Sequence, residues 1–177
     1  MRLQLAALLL PTLASCSVFG GNSALNAHGG LRDLSSDIDT VEDQSVFGLE
    51  GTLGLTEHWG VEGSVWIASE EGSATGGLTP ELETEEYALG LRRTFLPDSP
   101  VKLHAGAGAN WIDAELSGLG VGSESDDGIG AYAHFGVTAA ILMFNAGLDL
   151  RGALTGAELA GEDLNYLQAT VFVGFTF

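Results

Sequence analysis

Residues 165–177 read Asn-Tyr-Leu-Gln-Ala-Thr-Val-Phe-Val-Gly-Phe-Thr-Phe, and this stretch decides the fold class. Every odd position from Leu167 to Phe177 is apolar, whereas the even positions mix polar, aromatic and small residues. Strict alternation over such a length predicts a β-strand whose two faces meet different surroundings. The end of the chain is therefore expected to be a two-faced strand.

The same alternation recurs along the rest of the chain, and no helical periodicity competes with it. Six further segments carry it, at about 47–55, 61–67, 86–95, 101–111, 128–137 and 142–151. A weaker segment at 25–32 brings the predicted strands to eight. The connections near 56–59, 96–100 and 139–140 are short, and those near 33–43, 71–82, 113–127 and 153–163 are long. Strict alternation of short and long connections is typical of an up-and-down barrel.

Glycine indicates which face of the strands points inward. The polar face carries Gly48, Gly54, Gly90, Gly106, Gly108, Gly128, Gly130, Gly136, Gly147 and Gly174. Glycine weakens a solvent-facing strand but leaves room for large neighbours inside a narrow barrel. The apolar face carries aromatic residues near its ends, as expected of girdles at two bilayer interfaces. We therefore predict an all-β fold, an eight-stranded antiparallel up-and-down transmembrane β-barrel over residues 22–177. A soluble lipocalin-like binder is the weaker alternative.

Composition excludes some classes of partner. The formal net charge is −18, which argues against binding to the phosphate backbone of nucleic acid. Such acidity often accompanies disorder, but 45% of the residues are hydrophobic, and disordered chains lack that apolar content.

The first residues are predicted to be a targeting segment. Met1-Arg2 precede an apolar run from Leu3 to Leu13, which is too short to span a bilayer as a helix and is typical of a signal peptide. Leu13-Ala-Ser-Cys16 resembles the bacterial lipoprotein signal, in which residues 1–15 are removed and Cys16 is acylated. Residues 16–21 would then be a short segment before the barrel. Ordinary cleavage nearby, with Cys16 a free thiol or removed, is the alternative.

The chain resembles the small eight-stranded outer-membrane barrels of the OmpA/OmpX type, a porin-family-like group. The resemblance rests on Tyr87-Ala-Leu-Gly-Leu-Arg-Arg-Thr-Phe95, Val101-Lys-Leu-His-Ala-Gly-Ala-Gly-Ala109 and Val173-Gly-Phe-Thr-Phe177. It implies the outer membrane of a Gram-negative-type bacterium, with short turns in the periplasm and long loops outside. It also implies that Phe177 contributes to recognition by the barrel-assembly machinery. The lipoprotein-like cysteine departs from the family pattern.

The inward positions predict a polar network that fills the lumen. Its principal members are Glu50, Glu62, Glu86, Arg92, Lys102, His104, Asp149 and Arg151. Buried charges need partners, and we expect Glu62 to pair with Arg92. An interior of eight strands is about wide enough for side chains to fill, so we expect a plugged lumen with a structural or interaction role. A narrow channel for small solutes or cations is the alternative.

Catalytic and metal-binding motifs are not apparent from sequence spacing. No serine is placed beside His28, His58, His104 or His134 in the geometry that a nucleophilic site requires. One cysteine and four scattered histidines also lack metal-ligand spacing. We therefore expect no enzymatic activity, no cofactor and no metal centre.

The long connections concentrate acidic residues. An oxygen-rich rim could hold divalent cations such as Ca²⁺ and bridge them to lipopolysaccharide in the surrounding outer-membrane lipid. The candidate ligands are Asp37, Asp39, Glu42, Asp43, Glu124, Asp126 and Asp127. A solvated, repulsive surface without a specific ligand is the alternative interpretation.

Overall fold

Eight long strands close into one antiparallel barrel, which confirms the predicted fold class. The computed structural model describes residues 23–34, 43–71, 81–117, 123–159 and 161–177. The barrel strands are β1 (Ala24–Leu34), β2 (Asp43–Gly54), β3 (Trp59–Glu71), β4 (Glu81–Phe95), β5 (Val101–Ser117), β6 (Glu124–Ile141), β7 (Phe144–Leu154) and β10 (Tyr166–Thr176). A small hairpin of β8 (Glu158–Leu159) and β9 (Glu162–Asp163) lies between β7 and β10. Among the described residues, no helix is long and apolar enough to cross a bilayer.

Pairing of the first and last strands closes the barrel. β1 pairs with β10 from Ala24↔Thr176 to Leu34↔Tyr166, and with β2 on its other side. The weak alternation at residues 25–32 therefore does mark a strand. Closure leaves no unpaired edge, which matters because hydrocarbon offers no hydrogen bonds to an exposed backbone.

The barrel has a turn end and a loop end. The turn end comprises the short connections 55–58, 96–100 and 142–143, together with Ala24 and Thr176 at the outer ends of the first and last strands. The loop end carries the longer connections between β1 and β2, β3 and β4, β5 and β6, and β7 and β10. The predicted alternation of short and long connections is confirmed by this arrangement.

One predicted turn is misplaced. The sequence pattern put the link between the sixth and seventh strands near residues 139–140, but β6 continues to Ile141, which pairs with Phe144. Leu142 and Met143 make the turn, and Leu142 adopts a positive φ of 58°. Apolar residues in a tight turn give none of the Gly, Asn or Pro signals on which turn prediction depends.

The strands at the loop end are longer than predicted. β5 and β6 remain paired up to Leu116↔Glu124, inside the segment expected to be a loop. Beyond Trp111 the pattern inverts: Ile112 and Leu116 are buried in the barrel, whereas Glu115 is exposed. Trp111 belongs to the aromatic girdle at the membrane surface. Below it the outer face of the strand meets lipid and is apolar, whereas above it the outer face meets water and the apolar residues point into the barrel. The third loop is therefore shorter than predicted, because the strands continue beyond the point where the apolar residues change face.

An apolar belt surrounds the barrel between the two ends. Leu89 and Ile129, for example, leave 66% and 77% of their surface outside the barrel. On β4 the belt extends from Tyr87 to Phe95, about 20 Å along the axis at about 3.3 Å per residue and a tilt of about 40°, close to the ~25 Å band of outer-membrane barrels. Exposed apolar surface of this extent is compatible with lipid and not with water.

Inward glycines make room for large side chains across the lumen wall. A Cβ on Gly48 would lie 2.2 Å from Trp66 Cε3, and Trp66 is fully buried. On the outer face, a Cβ on Gly63 would meet nothing closer than 3.8 Å. The two glycines therefore differ in whether they tolerate a methyl group.

We expect Gly48→Ala to lower the free energy of unfolding by about 1–3 kcal/mol, because the indole of Trp66 must move in a filled interior. Gly63→Ala is the matched control and should cost much less. Urea unfolding of the barrel refolded in detergent, followed by tryptophan fluorescence, measures both. Equal stability of the two variants would contradict this account of the inward glycines.

Candidate functional site

The polar residues predicted for the lumen do lie along its wall. Glu50, Glu62, Glu86, Arg92, His104, Asp149 and Arg151 are all buried. Lys102 is half-buried and lines a small cavity at the turn end. The buried side chains are arranged in two groups, one towards each end of the barrel.

The group nearer the loop end is built around Glu86 and is here called the Glu86 cluster, which comprises Arg32, Glu86, Asn110, Arg151 and Tyr166. Glu86 Oε2 accepts hydrogen bonds from Arg32 Nη2 at 3.0 Å and from the Tyr166 hydroxyl at 2.5 Å. Its Oε1 accepts from Arg151 Nη2 at 2.6 Å and from Asn110 Nδ2 at 3.2 Å. The carboxylate is fully buried, and four donors from four other strands satisfy it.

Aromatic rings lie against both arginines of this cluster. The Arg32 guanidinium lies 3.9 Å from the centre of the Tyr166 ring, and that of Arg151 lies 3.8 Å from the centre of the Tyr132 ring. Arg32 also donates to Gln168 at 3.0 Å and to Thr84 at 3.1 Å. A buried charge is tolerated when it is paired and hydrogen-bonded, and both arginines meet that requirement.

Nearer the turn end, Arg92 pairs with Glu50 at 2.5 Å rather than with Glu62. The predicted Glu62–Arg92 pair is therefore wrong. Arg92 stands opposite Gly60 on β3, and this glycine lets the guanidinium pass over to Glu50 and Thr52 on β2. The prediction assumed that Arg92 would pair with a residue at the same height on the neighbouring strand. Its long side chain instead reaches one strand further, to β2.

Glu62 instead belongs to a group that we call the histidine cluster, comprising Glu62, His104, Tyr132, His134 and Asp149. His134 Nε2 lies 3.0 Å from both carboxylate oxygens of Glu62, and its Nδ1 lies 2.8 Å from Asp149 Oδ2. His104 Nε2 lies 2.9 Å from the same Asp149 oxygen. The Tyr132 hydroxyl donates to Glu62 Oε1 at 2.7 Å. Two histidines thus converge on one carboxylate.

Strand register creates this convergence. His104 on β5 pairs with Gly136 on β6, which in turn pairs with Asp149 on β7. Because the middle residue has no side chain, His104 and Asp149 meet across it. Similarly, His134 is paired with Gly106. Sequence spacing gave no sign of this cluster, because its histidines lie on different strands and only the register relates them.

An apolar layer covers the Glu86 cluster on its loop side. Ala157, Leu159 and Leu164, from the connection that includes β8 and β9, are fully buried against Leu82, Ile112 and Leu116 of the barrel wall. The hairpin is also held by a hydrogen bond from the Glu158 amide to Asp126 at 2.8 Å. The fourth predicted loop therefore inserts into the mouth of the barrel, while Glu158, Glu162 and Asp163 are exposed.

The acidic rim lies partly on strands. Glu124, Asp126 and Asp127 belong to β6 rather than to a loop, and Asp43 begins β2. Glu85, Asp113 and Asp127 follow one another directly across β4, β5 and β6 on the outer face, and we call them the acidic row. The girdle side chains Tyr87 and Trp111 donate hydrogen bonds to its two ends, Glu85 and Asp127.

The structure leaves the predicted lipidation site, part of the predicted cation-binding rim and the predicted assembly signal untested. Cys16, Asp37, Asp39 and Glu42 lie outside the described residues. Phe177 lies at the turn end with 52% of its surface exposed, and its amide donates to the Ser23 carbonyl at 3.0 Å. Acylation, cation binding at the loops and the assembly signal therefore stay predictions.

Sequence reasoning missed several residues of the lumen, among them Arg32, Tyr166 and Trp66. Arg32 has the same parity as His28, and both are buried inside β1, but the weak alternation of that strand hid them. Tyr166 and Trp66 occupy inward positions with aromatic side chains. The sequence signal that could have found these residues is their even-numbered position, because on these strands the even positions face inward whether the residue is polar or apolar.

Comparison with known proteins agrees with this architecture. The family model for the outer membrane protein beta-barrel domain matches residues 3–177. No curated protein matches the sequence at a significant level. Three solved structures illustrate the shared fold.

The outer membrane protein OprG from Pseudomonas aeruginosa is 16% identical, with a TM-score of 0.66 over 88% of this chain and 96% of that one. Ail, the attachment invasion locus protein of Yersinia pestis, solved with the heparin analogue sucrose octasulfate, is 15% identical, with a TM-score of 0.63 over 89% of this chain and 99% of its own. Neisserial surface protein A is 14% identical, with a TM-score of 0.60 over 88% and 96%. With its closed barrel and this family match, the chain belongs to the outer membrane protein beta-barrel family and is located in the Gram-negative outer membrane.

Proposed function

We propose that this outer-membrane barrel does not conduct and is not an enzyme, but serves as a rigid anchor that acts through its loop end at the cell surface. The Glu86 cluster carries the proposal. Glu86 on β4 meets Tyr166 on β10, and these two strands stand on opposite sides of the eight-stranded ring. Arg32 and Arg151 flank Tyr166 on the two strands beside β10. Paired side chains therefore cross the whole width of the lumen.

The apolar layer above this cluster supports the same conclusion. A hydrated ion entering from the loop end would have to pass Leu82, Leu159 and Leu164, all fully buried, before it reached the buried charges of the Glu86 cluster. It would then have to separate Glu86 from two guanidinium groups. Eight-stranded barrels leave an interior that side chains can fill, so this packing suits an anchor better than a pore.

The charge of the loop end limits the partners that we propose. The solved structure of Ail holds a sulfated heparin analogue, but this chain carries a formal charge of −18 and presents the acidic row just above the girdle. Repulsion disfavours a polyanion at such a surface. We propose partners that are cationic, or lipopolysaccharide reached through shared divalent cations.

Register supports the role of cations. Directly opposite residues on paired strands have Cβ atoms about 4.5–5.5 Å apart, and like charges there destabilise the sheet. The acidic row places three carboxylates in this relation, and Glu83 opposite Glu115 adds another pair. Hard divalent cations take carboxylate oxygens as ligands, so bound Ca²⁺ would offset the repulsion and join the barrel to lipid phosphates.

For the barrel alone, we expect no steady openings in single-channel recordings from planar bilayers. The reason is the crossing of the lumen by the Glu86 cluster and its apolar cover. The control is a known porin reconstituted in the same bilayers. Reproducible openings of defined conductance would reject the anchor and favour the narrow channel instead.

We expect Glu86→Gln to lower the free energy of unfolding by about 3–5 kcal/mol, because it leaves two buried guanidinium groups without their carboxylate. Glu85→Gln is the matched control: it makes the same chemical change one residue earlier on β4, on the outer face. Urea unfolding in detergent measures both variants. If Glu86→Gln lowered the free energy of unfolding no more than Glu85→Gln does, the Glu86 cluster would not be a main source of the stability of the barrel.

At the acidic row, we expect Ca²⁺ calorimetry on the refolded barrel to give binding heat. The triple variant Glu85→Gln, Asp113→Asn, Asp127→Asn should lose most of it. A control that neutralises Glu57 and Asp98 at the turn end should keep it. If the heat were no larger than that of dilution, or if the triple variant gave unchanged heat, the acidic row would be a solvated, repulsive surface that does not bind Ca²⁺.

We further propose that Phe177 is read by the barrel-assembly machinery. Its side chain is half-exposed at the turn end, so its removal should cost little folding energy. We expect Phe177→Ala to lower the amount of assembled barrel in cells while leaving stability after refolding in detergent almost unchanged. A parallel loss in both measurements would make Phe177 a packing residue instead.

A further inference from the structure

We propose that the histidine cluster is a binding site for a divalent transition-metal ion, with His104 Nε2, His134 Nδ1 and Asp149 Oδ2 as its ligands. The three side chains offer donor atoms that all lie within 4.8 Å of one another, and all three residues are buried. Two imidazoles and a carboxylate form a ligand set that Zn²⁺ and related ions accept, with the fourth position left for water. The proposal is independent of the anchoring function.

The distances require only a small adjustment. Asp149 Oδ2 lies 2.9 Å from His104 Nε2 and 2.8 Å from His134 Nδ1. Ligand atoms at about 2.0–2.1 Å from a tetrahedral zinc ion are about 3.3 Å apart. Each nitrogen therefore needs to move away from the carboxylate by about half an ångström, which rotation of the side chains provides.

The outer nitrogens of both rings already have the partners that metal-bound histidines use. His134 Nε2 faces Glu62, and His104 Nδ1 lies 3.3 Å from the Thr138 hydroxyl. A histidine that binds a metal through one ring nitrogen usually donates from the other to a carboxylate or another acceptor, which fixes its orientation. Glu62 and Thr138 are therefore positioning residues for the two ligands.

Charge also favours a cation here. The described charged residues that are buried towards the turn end are Glu50, Glu62, Asp149 and Arg92. Both ring nitrogens of His134 face carboxylate oxygens, which only accept hydrogen bonds, so this ring is protonated while no metal is bound. Once His134 gives up one proton to bind a metal, three carboxylates against one guanidinium leave the group with a formal charge of −2. The Glu86 cluster, with two arginines and one carboxylate, has an excess of one positive charge instead. Buried charge must be compensated, and one divalent ion would balance the group.

The backbone leaves room for the ligands. A Cβ on Gly106 would lie 2.1 Å from His134 Nε2, and one on Gly136 would lie 2.3 Å from His104 Nε2. Only glycine at these two positions lets both rings occupy the lumen as they do. The site is thus supported by the main chain as well as by side chains.

An approach to the site exists from the turn end. A cavity of about 40 Å³ is lined by His104 and Thr138 and by Ala24, Ala140 and Thr176 near the strand ends. A single water molecule needs roughly 10–15 Å³, so the cavity can admit a partly dehydrated ion. Arg92 and Lys102 also line it, and the charge of Arg92 is directed to Glu50.

The test uses the full barrel, refolded in detergent, stripped of metal and titrated with Co²⁺. We expect about one ion per barrel and visible absorption bands of nitrogen-coordinated cobalt, which Zn²⁺ then abolishes by competition. His104→Asn and Asp149→Asn should lose the bands. His58→Asn, which removes an exposed histidine from a turn, is the matched control and should keep them.

Glu62→Gln separates this site from adventitious binding. Loss of a partner behind a metal-bound histidine typically weakens metal affinity by about 10–100-fold, whereas binding to surface histidines would not respond to Glu62. Electrophoretic mobility of unheated samples checks that each variant is folded. The cobalt titration of the unmodified barrel tests the site even where a variant does not fold.

The proposal is overturned if the unmodified barrel gives no cobalt bands, or if the bands persist in the His104 and Asp149 variants. Loss of the bands in the His58 variant would likewise overturn it, since the ion would then sit at the turn. Conductance and Ca²⁺ heat are separate measurements, so failure here is distinct from failure of the proposed function.

Discussion

Backbone pairing between β1 and β10 is the constraint on which the rest of the structure depends. Lipid supplies no hydrogen bonds, so a sheet in the membrane must have no open edge, and eight strands satisfy this by closing. Closure at this strand number makes the interior narrow. Each inward residue must then either fill space, as Trp66 does, yield space, as Gly48 does, or pair its charge across the lumen, as Glu86 does.

The same strands serve two solvents, which explains the distribution of apolar and acidic residues. Below Tyr87 and Trp111 the outer face meets lipid and is apolar, while the inner face is polar. Above them the outer face meets water, so Glu85 and Asp113 point out and Leu82 and Ile112 point in. On the described strands, the acidic row therefore lies at the loop end, above Tyr87 and Trp111. The buried apolar residues there cover the Glu86 cluster.

Inside the lumen, the two polar groups are complementary in charge and different in chemistry. The Glu86 cluster uses arginines, which are always charged and bridge a carboxylate in a fixed geometry, and so it suits a permanent brace. The histidine cluster uses imidazoles, which bind either protons or metal ions, and it lies beside the cavity at the turn end. The first group pairs charges across the lumen, and the second is the metal site that we propose.

Strand number, the direction of the two faces and the polar lumen followed from alternation and from glycine placement, because a strand records the environment of each face in its own residues. Residues such as Glu86 and Arg151 could thus be placed in the lumen from sequence. Their partners could not, because contacts across a barrel depend on register and on which strands face each other. Arg92 therefore pairs with Glu50 instead of Glu62, and Arg32, which the sequence did not predict to lie in the lumen, pairs with Glu86 in the Glu86 cluster. The meeting of His104, His134 and Asp149 was decided by tertiary structure alone, since it requires glycine opposite each histidine on a neighbouring strand.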